Sequence, residues 1–73
     1  MDTFYITRVT PKGGTPRFER HHGKALIEVW GDIIKSVTYD ERPAICELWE
    51  IGPDSPLPWD HRPDLRTEIH APA

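Results

Sequence analysis

One cysteine, Cys46, stands in the whole chain, which excludes an internal disulfide framework. A lone thiol among apolar neighbours reads as a small buried hydrophobe rather than a reactive nucleophile. No apolar run approaches the roughly 20 residues that cross a bilayer. The opening Met1-Asp2-Thr3-Phe4 lacks the basic start and apolar centre of a signal peptide. A cytoplasmic protein without a membrane segment is therefore expected.

The motifs of common chemistries are missing as well. No CxxC, HxxxH or HExxH spacing occurs, so the usual zinc frameworks are excluded. Glu19 and His21 share one side of an expected strand, and Cys46, Asp60, His61 and His70 are further donors. Surface histidines are the simpler reading, because the adjacent His21 and His22 point to opposite strand faces. Gly13-Gly14 opens no GxGxxG or GxxxxGKS/T loop, and neither an RNP motif nor a helix-turn-helix pattern is present. A glycosidase-type carboxylate pair needs a cleft that so small a core does not build. The sequence thus calls for no catalytic residue, no metal and no cofactor.

What is there is one domain's worth of chain, 73 residues, near the lower size limit for an unstapled core. The net charge of −3 is unevenly spread. Residues 1–24 hold Arg8, Lys12, Arg17, Arg20 and Lys24 against Asp2 and Glu19, net +3. Residues 25–73 hold Lys35, Arg42, Arg62 and Arg66 against ten carboxylates, net −6. Five scattered cations are a small footprint for nucleic acid, and solvated hairpin residues explain them as well.

Thr3–Thr10 is rich in β-branched and aromatic residues and reads as a strand. Pro11-Lys12-Gly13-Gly14 is a turn, and Thr15–His21 a second strand, with Phe18 packed and Arg20 wet. The densest apolar stretch, Ala25–Thr38, admits three readings. A helix over Lys24–Trp30 with Gly31 as its left-handed terminator puts Leu26, Ile27 and Trp30 on one face, and a strand Ile33–Tyr39 follows. Alternatively Gly31-Asp32 is a type II′ hairpin turn with Glu28 opposite Lys35. A continuous helix to Ser36 places Gly31-Asp32 mid-helix and is least favoured by propensity. The first is preferred, because a short all-β chain has little to cover its sheet.

Asp40-Glu41-Arg42-Pro43 reads as a turn into the strand Ala44–Ile51, with Val37 opposite Cys46. Ala44, Cys46 and Leu48 share the face under the helix, and Ile45, Glu47, Trp49 and Ile51 share the other. Both faces are substantially apolar, so a cover is expected over Ile34, Ile45, Trp49 and Ile51. The tail, residues 53–73, holds five of the eight prolines and reads as extended chain to Pro63. Asp64–Ile69 reads as a short turn or an edge strand. Leu57 and Trp59 are expected to fold back on the open apolar face. The fold class is α+β: a small antiparallel sheet in ββαββ order with one short helix on one face. Residues 1–52 form the domain and residues 53–73 a proline-rich tail.

The order FYITRVTPKGG, Phe18, short amphipathic helix, WGDIIKSVT, strand resembles small phage-encoded accessory proteins. Among these it looks like the anti-CRISPR proteins that fold as a small antiparallel sheet with one helix. The resemblance spans Thr3–Ile51 and lies in element order and size; the proline-rich tail departs from it. It implies an acidic, non-enzymatic protein directed at a Cas subunit. The expected function is a protein-binding module, an inhibitor of a host CRISPR-Cas complex by steric occlusion or nucleic-acid charge mimicry. Its partner is a host or phage protein, and the chain itself is a monomer or homodimer. Asp40, Glu41, Glu47, Trp49, Glu50 and Asp54 are the candidate partner-binding residues, an aromatic anchor ringed by carboxylates; a solvated acidic rim is the plainer alternative. The rivals are a nucleic-acid-binding accessory protein using the basic N-terminal hairpin and a metal-dependent small enzyme subunit.

Overall fold

Strand-forming side chains dominate both ends of the sequence, and an apolar 3.6-residue stripe occupies its middle. The computed structural model describes residues 3–54 and 60–71. It has strands β1 (Phe4–Thr10), β2 (Arg17–His21), β3 (Ala44–Ile51) and β4 (Leu65–Ile69), the helix α1 (Leu26–Lys35) and a 3₁₀ turn at Tyr39–Glu41. The four strands form one antiparallel sheet in the order β2-β1-β3-β4. The class is α+β, with one helix beside a small antiparallel sheet.

The central stretch takes the reading least favoured by propensity. A single helix runs through Gly31 and Asp32, with Ser36 as its C-terminal cap. Gly31 is not left-handed; the glycines with positive φ are Gly13 and Gly23. Packing supplies the reason. Val29 and Ile33 lie one turn apart at 0% and 3% exposure, and Val37, a turn further on, is also buried. Burying two such side chains is worth roughly 1.5–3 kcal/mol each, against about 1 kcal/mol for a mid-helix glycine. The stripe that faces the sheet is therefore Val29–Ile33, flanked by Trp30. Ile27, expected on that face, is 83% exposed.

No strand forms at Ile33–Tyr39, so the expected pairing of Val37 with Cys46 is replaced. Thr38 caps the 3₁₀ turn instead: its backbone N–H donates to Glu41 Oε1 at 3.0 Å in a capping box. The strand beside β3 is β1, with Val9 opposite Cys46 and Phe4 opposite Ile51. The fourth strand comes from the tail, where Leu65–Ile69 pairs with β3 and sets Leu48 opposite Leu65 and Ala44 opposite Ile69. The order ββαββ thus stands, but its last strand follows β3 where one before it was expected.

β3 lies inside the sheet and both of its faces are packed. Val9, Ile33, Val37, Ala44 and Cys46 form the core beneath the helix, with Trp30 and Ile69 packed against it. Leu48 on the same face is also fully buried. On the opposite face Trp49 is 1% exposed, and its indole N–H donates to the His61 carbonyl at 3.1 Å. The chain around residues 60–64 is tied to the end of β3 twice more. The Asp64 N–H donates to the Leu48 carbonyl at 2.8 Å, and the Glu50 N–H donates to Asp64 Oδ2 at 2.7 Å. Leu57 and Trp59, expected as a cover for this face, lie outside the described residues. Among the described residues no helix is long and apolar enough to cross a membrane.

Candidate protein-binding surface

Because side chains alternate along a strand, the register decides which groups meet on the face away from the helix. Arg8 of β1 lies opposite Phe18 of β2 and opposite Glu47 of β3. Its Nε donates to Glu47 Oε1 at 2.7 Å. Its guanidinium carbon sits 5.1 Å from the Trp49 ring centroid and 6.0 Å from that of Phe18. Arg8 therefore bridges two aromatic rings while meeting a carboxylate edge-on, an arrangement suited to a planar cation. The hydrogen bond donated to Glu47, more than that residue's charge, raises the Arg8 pKa and keeps the guanidinium charged.

This geometry redistributes the expected binding residues. Trp49 is not an exposed anchor, since its ring is buried and its N–H is used internally. Glu47 is 7% exposed and bound to Arg8, so it is a structural partner rather than a free carboxylate. Glu41 pairs with Arg17: Nη1 donates to Oε2, and Nη2 to Oε1 at 3.3 Å. Hydrogen bonding from Arg17 first, then from the Thr38 backbone, holds the Glu41 pKa at about 2, below its ordinary 4.5. Asp40, Glu50 and Asp54 are exposed. Asp40 precedes β3 whereas Glu50 and Asp54 lie at its far end, so the six residues do not form one patch.

Among the described residues the exposed aromatic on the helix-free face is Phe18, at 52%. It lines a shallow groove of about 410 Å³ together with Ile6, Glu19 and Arg20. Phe18 and Arg20 are not divided between packed and wet; both are exposed. Their spacing of two residues puts both on one face of β2, a signal the sequence carried. Among the described residues β2 is an edge strand, so the groove borders a sheet edge. Edges of this kind accept an extended peptide, with side-chain pockets supplying selectivity.

The basic hairpin does not present a single cationic face. Arg8, Arg17 and Lys24 are matched with Glu47, Glu41 and Asp32. Arg17 lies on the helix side of β2, and Arg20, three residues on, lies on the other side. Glu19 and His21 share a strand face, and the Thr7 hydroxyl lies 2.9 Å from His21 Nε2. His22 instead stacks on Phe4, with ring centroids 4.7 Å apart. Among the described residues no three His, Cys, Asp or Glu side chains are grouped to hold a metal. Cys46 is fully buried, and that burial pushes its thiol pKa up, away from the thiolate a nucleophile needs. No protein-family model, curated protein or solved structure matches this chain.

Proposed function

We propose that the chain is a small non-enzymatic protein-binding module. It engages its target at the helix-free face beside β2, with Phe18 as the anchor, and acts by steric occlusion. The observation that carries this reading is an aromatic side chain 52% exposed on an edge strand, bordering an apolar groove. Burial of such a ring at a protein interface is a typical source of binding energy. Arg8 braces the Phe18 ring from the sheet side, which reduces the ordering cost on binding. The element order extends the proposal to a target class, a Cas subunit of a host defence complex.

The test uses purified CRISPR-Cas complexes and a DNA-cleavage assay with the wild-type protein, Phe18→Ala and Phe18→Glu. Wild type is expected to inhibit, Phe18→Ala to weaken inhibition by about tenfold or more, and Phe18→Glu to abolish it. Equal inhibition by all three proteins rules out this face. Salt-sensitive binding of the free protein to duplex DNA, weakened by Lys12→Ala with Arg20→Ala, assigns it to nucleic acid instead.

A further inference from the structure

The two edges of the sheet differ in their fitness to meet a second copy of the chain. An antiparallel strand pair about a two-fold axis matches each residue with its mirror position in the partner. Among the described residues β4 has one strand neighbour, β3. Its sequence, extended by one residue at each end, is Asp64-Leu65-Arg66-Thr67-Glu68-Ile69-His70. With the two-fold axis at Thr67, Arg66 of each copy opposes Glu68 of the other. Leu65 opposes Ile69, while Asp64 and His70 lie beyond the strand, where Asp64 Oδ2 already accepts from the Glu50 N–H and His70 Nδ1 lies 3.5 Å from Glu68 Oε1. Every position of β4 thus meets a complement: opposite charge, apolar partner, or threonine with threonine at the axis. Like charges across a strand pair repel and opposite ones attract, so this order of residues is self-complementary.

The faces agree with the pairing. Ile69 packs against the core beneath the helix with Trp30, and Leu65 and Thr67 lie on that same face by alternation. All three are half-buried, whereas Arg66 and Glu68 are exposed on the other face. The apolar side of β4 is therefore incompletely covered within one chain. The match at the β2 edge is shorter. A two-fold axis at Phe18 sets Arg17 opposite Glu19 but also Pro16, which lacks an N–H, opposite Arg20, and Arg17 is already paired with Glu41 within the chain. An axis at Glu19 sets that carboxylate against its own copy.

We propose that β4 is a homodimerisation edge. Two copies of the chain join antiparallel through β4, centred on Thr67, into one continuous eight-stranded sheet with both helices on the same side. This surface is separate from Phe18, because β2 and β4 are opposite edges of the sheet. The dimer carries one Phe18 groove at each end. Five residues of edge make a small interface, so the dimer forms at high micromolar concentration.

Sedimentation equilibrium of the full chain tests this, with circular dichroism to establish that each variant folds. The wild type is expected to pass from monomer to dimer as concentration rises. Glu68→Arg and Arg66→Glu are each expected to weaken self-association by about tenfold or more. Mixed in equal amounts, they are expected to form a heterodimer, because each then supplies the charge the other lacks. The double variant Arg66→Glu with Glu68→Arg restores the homodimer. If Arg66→Glu does not fold, because it sets a second carboxylate beside Glu47, Glu68→Arg alone decides. A wild type that stays monomeric to about 1 mM overturns the proposal. So does a dimer indifferent to Glu68→Arg, or a mixture of folded single variants that remains monomeric. Assemblies larger than a dimer point to β2–β4 pairing and also overturn it.

Discussion

Glu41 joins three segments through its carboxylate and its backbone carbonyl. It accepts from Arg17 on β2, from the Thr38 backbone in its own capping box, and its backbone carbonyl accepts from the Lys12 N–H at 2.8 Å. With its folded pKa at about 2 against an ordinary 4.5, the ionised form is favoured in the native state. Its contribution is complete above about pH 4.5 and is lost as pH falls toward 2. Glu41→Gln is expected to flatten the acid limb of the stability profile across that window, checked by urea unfolding at a series of pH values. Arg8 invites a different test. Arg8→Ala leaves Glu47 nearly buried without its cation and removes the ring contacts to Trp49 and Phe18. The side chain of Arg8 is 31% exposed, so solvent tempers the loss to about 2 kcal/mol, below the full cost of breaking a buried pair. Chemical denaturation measures it. Which carboxylates are free was not legible in the sequence, because Glu47 and Arg8 meet across strands 39 positions apart. The buried face of Ala44, Cys46 and Leu48 was legible, since alternation within one strand decides it.

At the scale of the element, the helix is held by its sheet-facing stripe more than by its ends or its composition. An added Cβ at Gly31 meets nothing within 4 Å, and the position is ordinary right-handed helix. Gly31→Ala is therefore expected to stabilise the protein by roughly 0.5–1 kcal/mol, read as a rise in the urea midpoint at unchanged slope. Ala25 is an N-cap without a side-chain hydrogen bond, and Glu28 already stands at the third helical position. Ala25→Ser completes a capping box and is expected to add about 0.5–1 kcal/mol, measured by the same titration. These two sites explain why the helix boundaries could not be read from local preference. A glycine mid-helix and an alanine at the cap both contradict the element in which they sit. The stripe Val29–Ile33–Val37 was present in the sequence, but its weight depends on a sheet that residues distant in the chain build. Strand β3 showed the opposite case: Ala44–Ile51 was legible to its ends, because β-branched and aromatic residues, Pro43 and Gly52 bracket it.

At the scale of the whole molecule, the tail completes the sheet. Residues 60–69 supply β4, the His61 carbonyl for Trp49 and the Asp64 carboxylate for the Glu50 N–H. Truncation after Gly52 strips a backbone ladder from β3 and leaves the Trp49 indole N–H without its acceptor. The expected outcome is an unfolded or aggregated product rather than a slightly weakened domain, checked by circular dichroism and light scattering. The sequence left residues 64–69 as a turn or an edge strand, and the strand is what forms: 64–71 contains no proline to interrupt the ladder.

The placement of β3 between β1 and β4 also governs how the chain assembles. Phe4 finds its partner at Ile51, and β3 finds its last neighbour at Leu65–Ile69. The helix and the first hairpin can form from near neighbours, but neither has a covered apolar face until β3 arrives. Most of the loop-closure entropy is therefore spent before the core repays it. Folding should be slow for a chain of this length, nearer the milliseconds-to-seconds of β-rich domains than the microseconds of helical bundles. In native-state hydrogen exchange, the amides shared by β1 and β3 should then open last, with the two outer strands exchanging ahead of them.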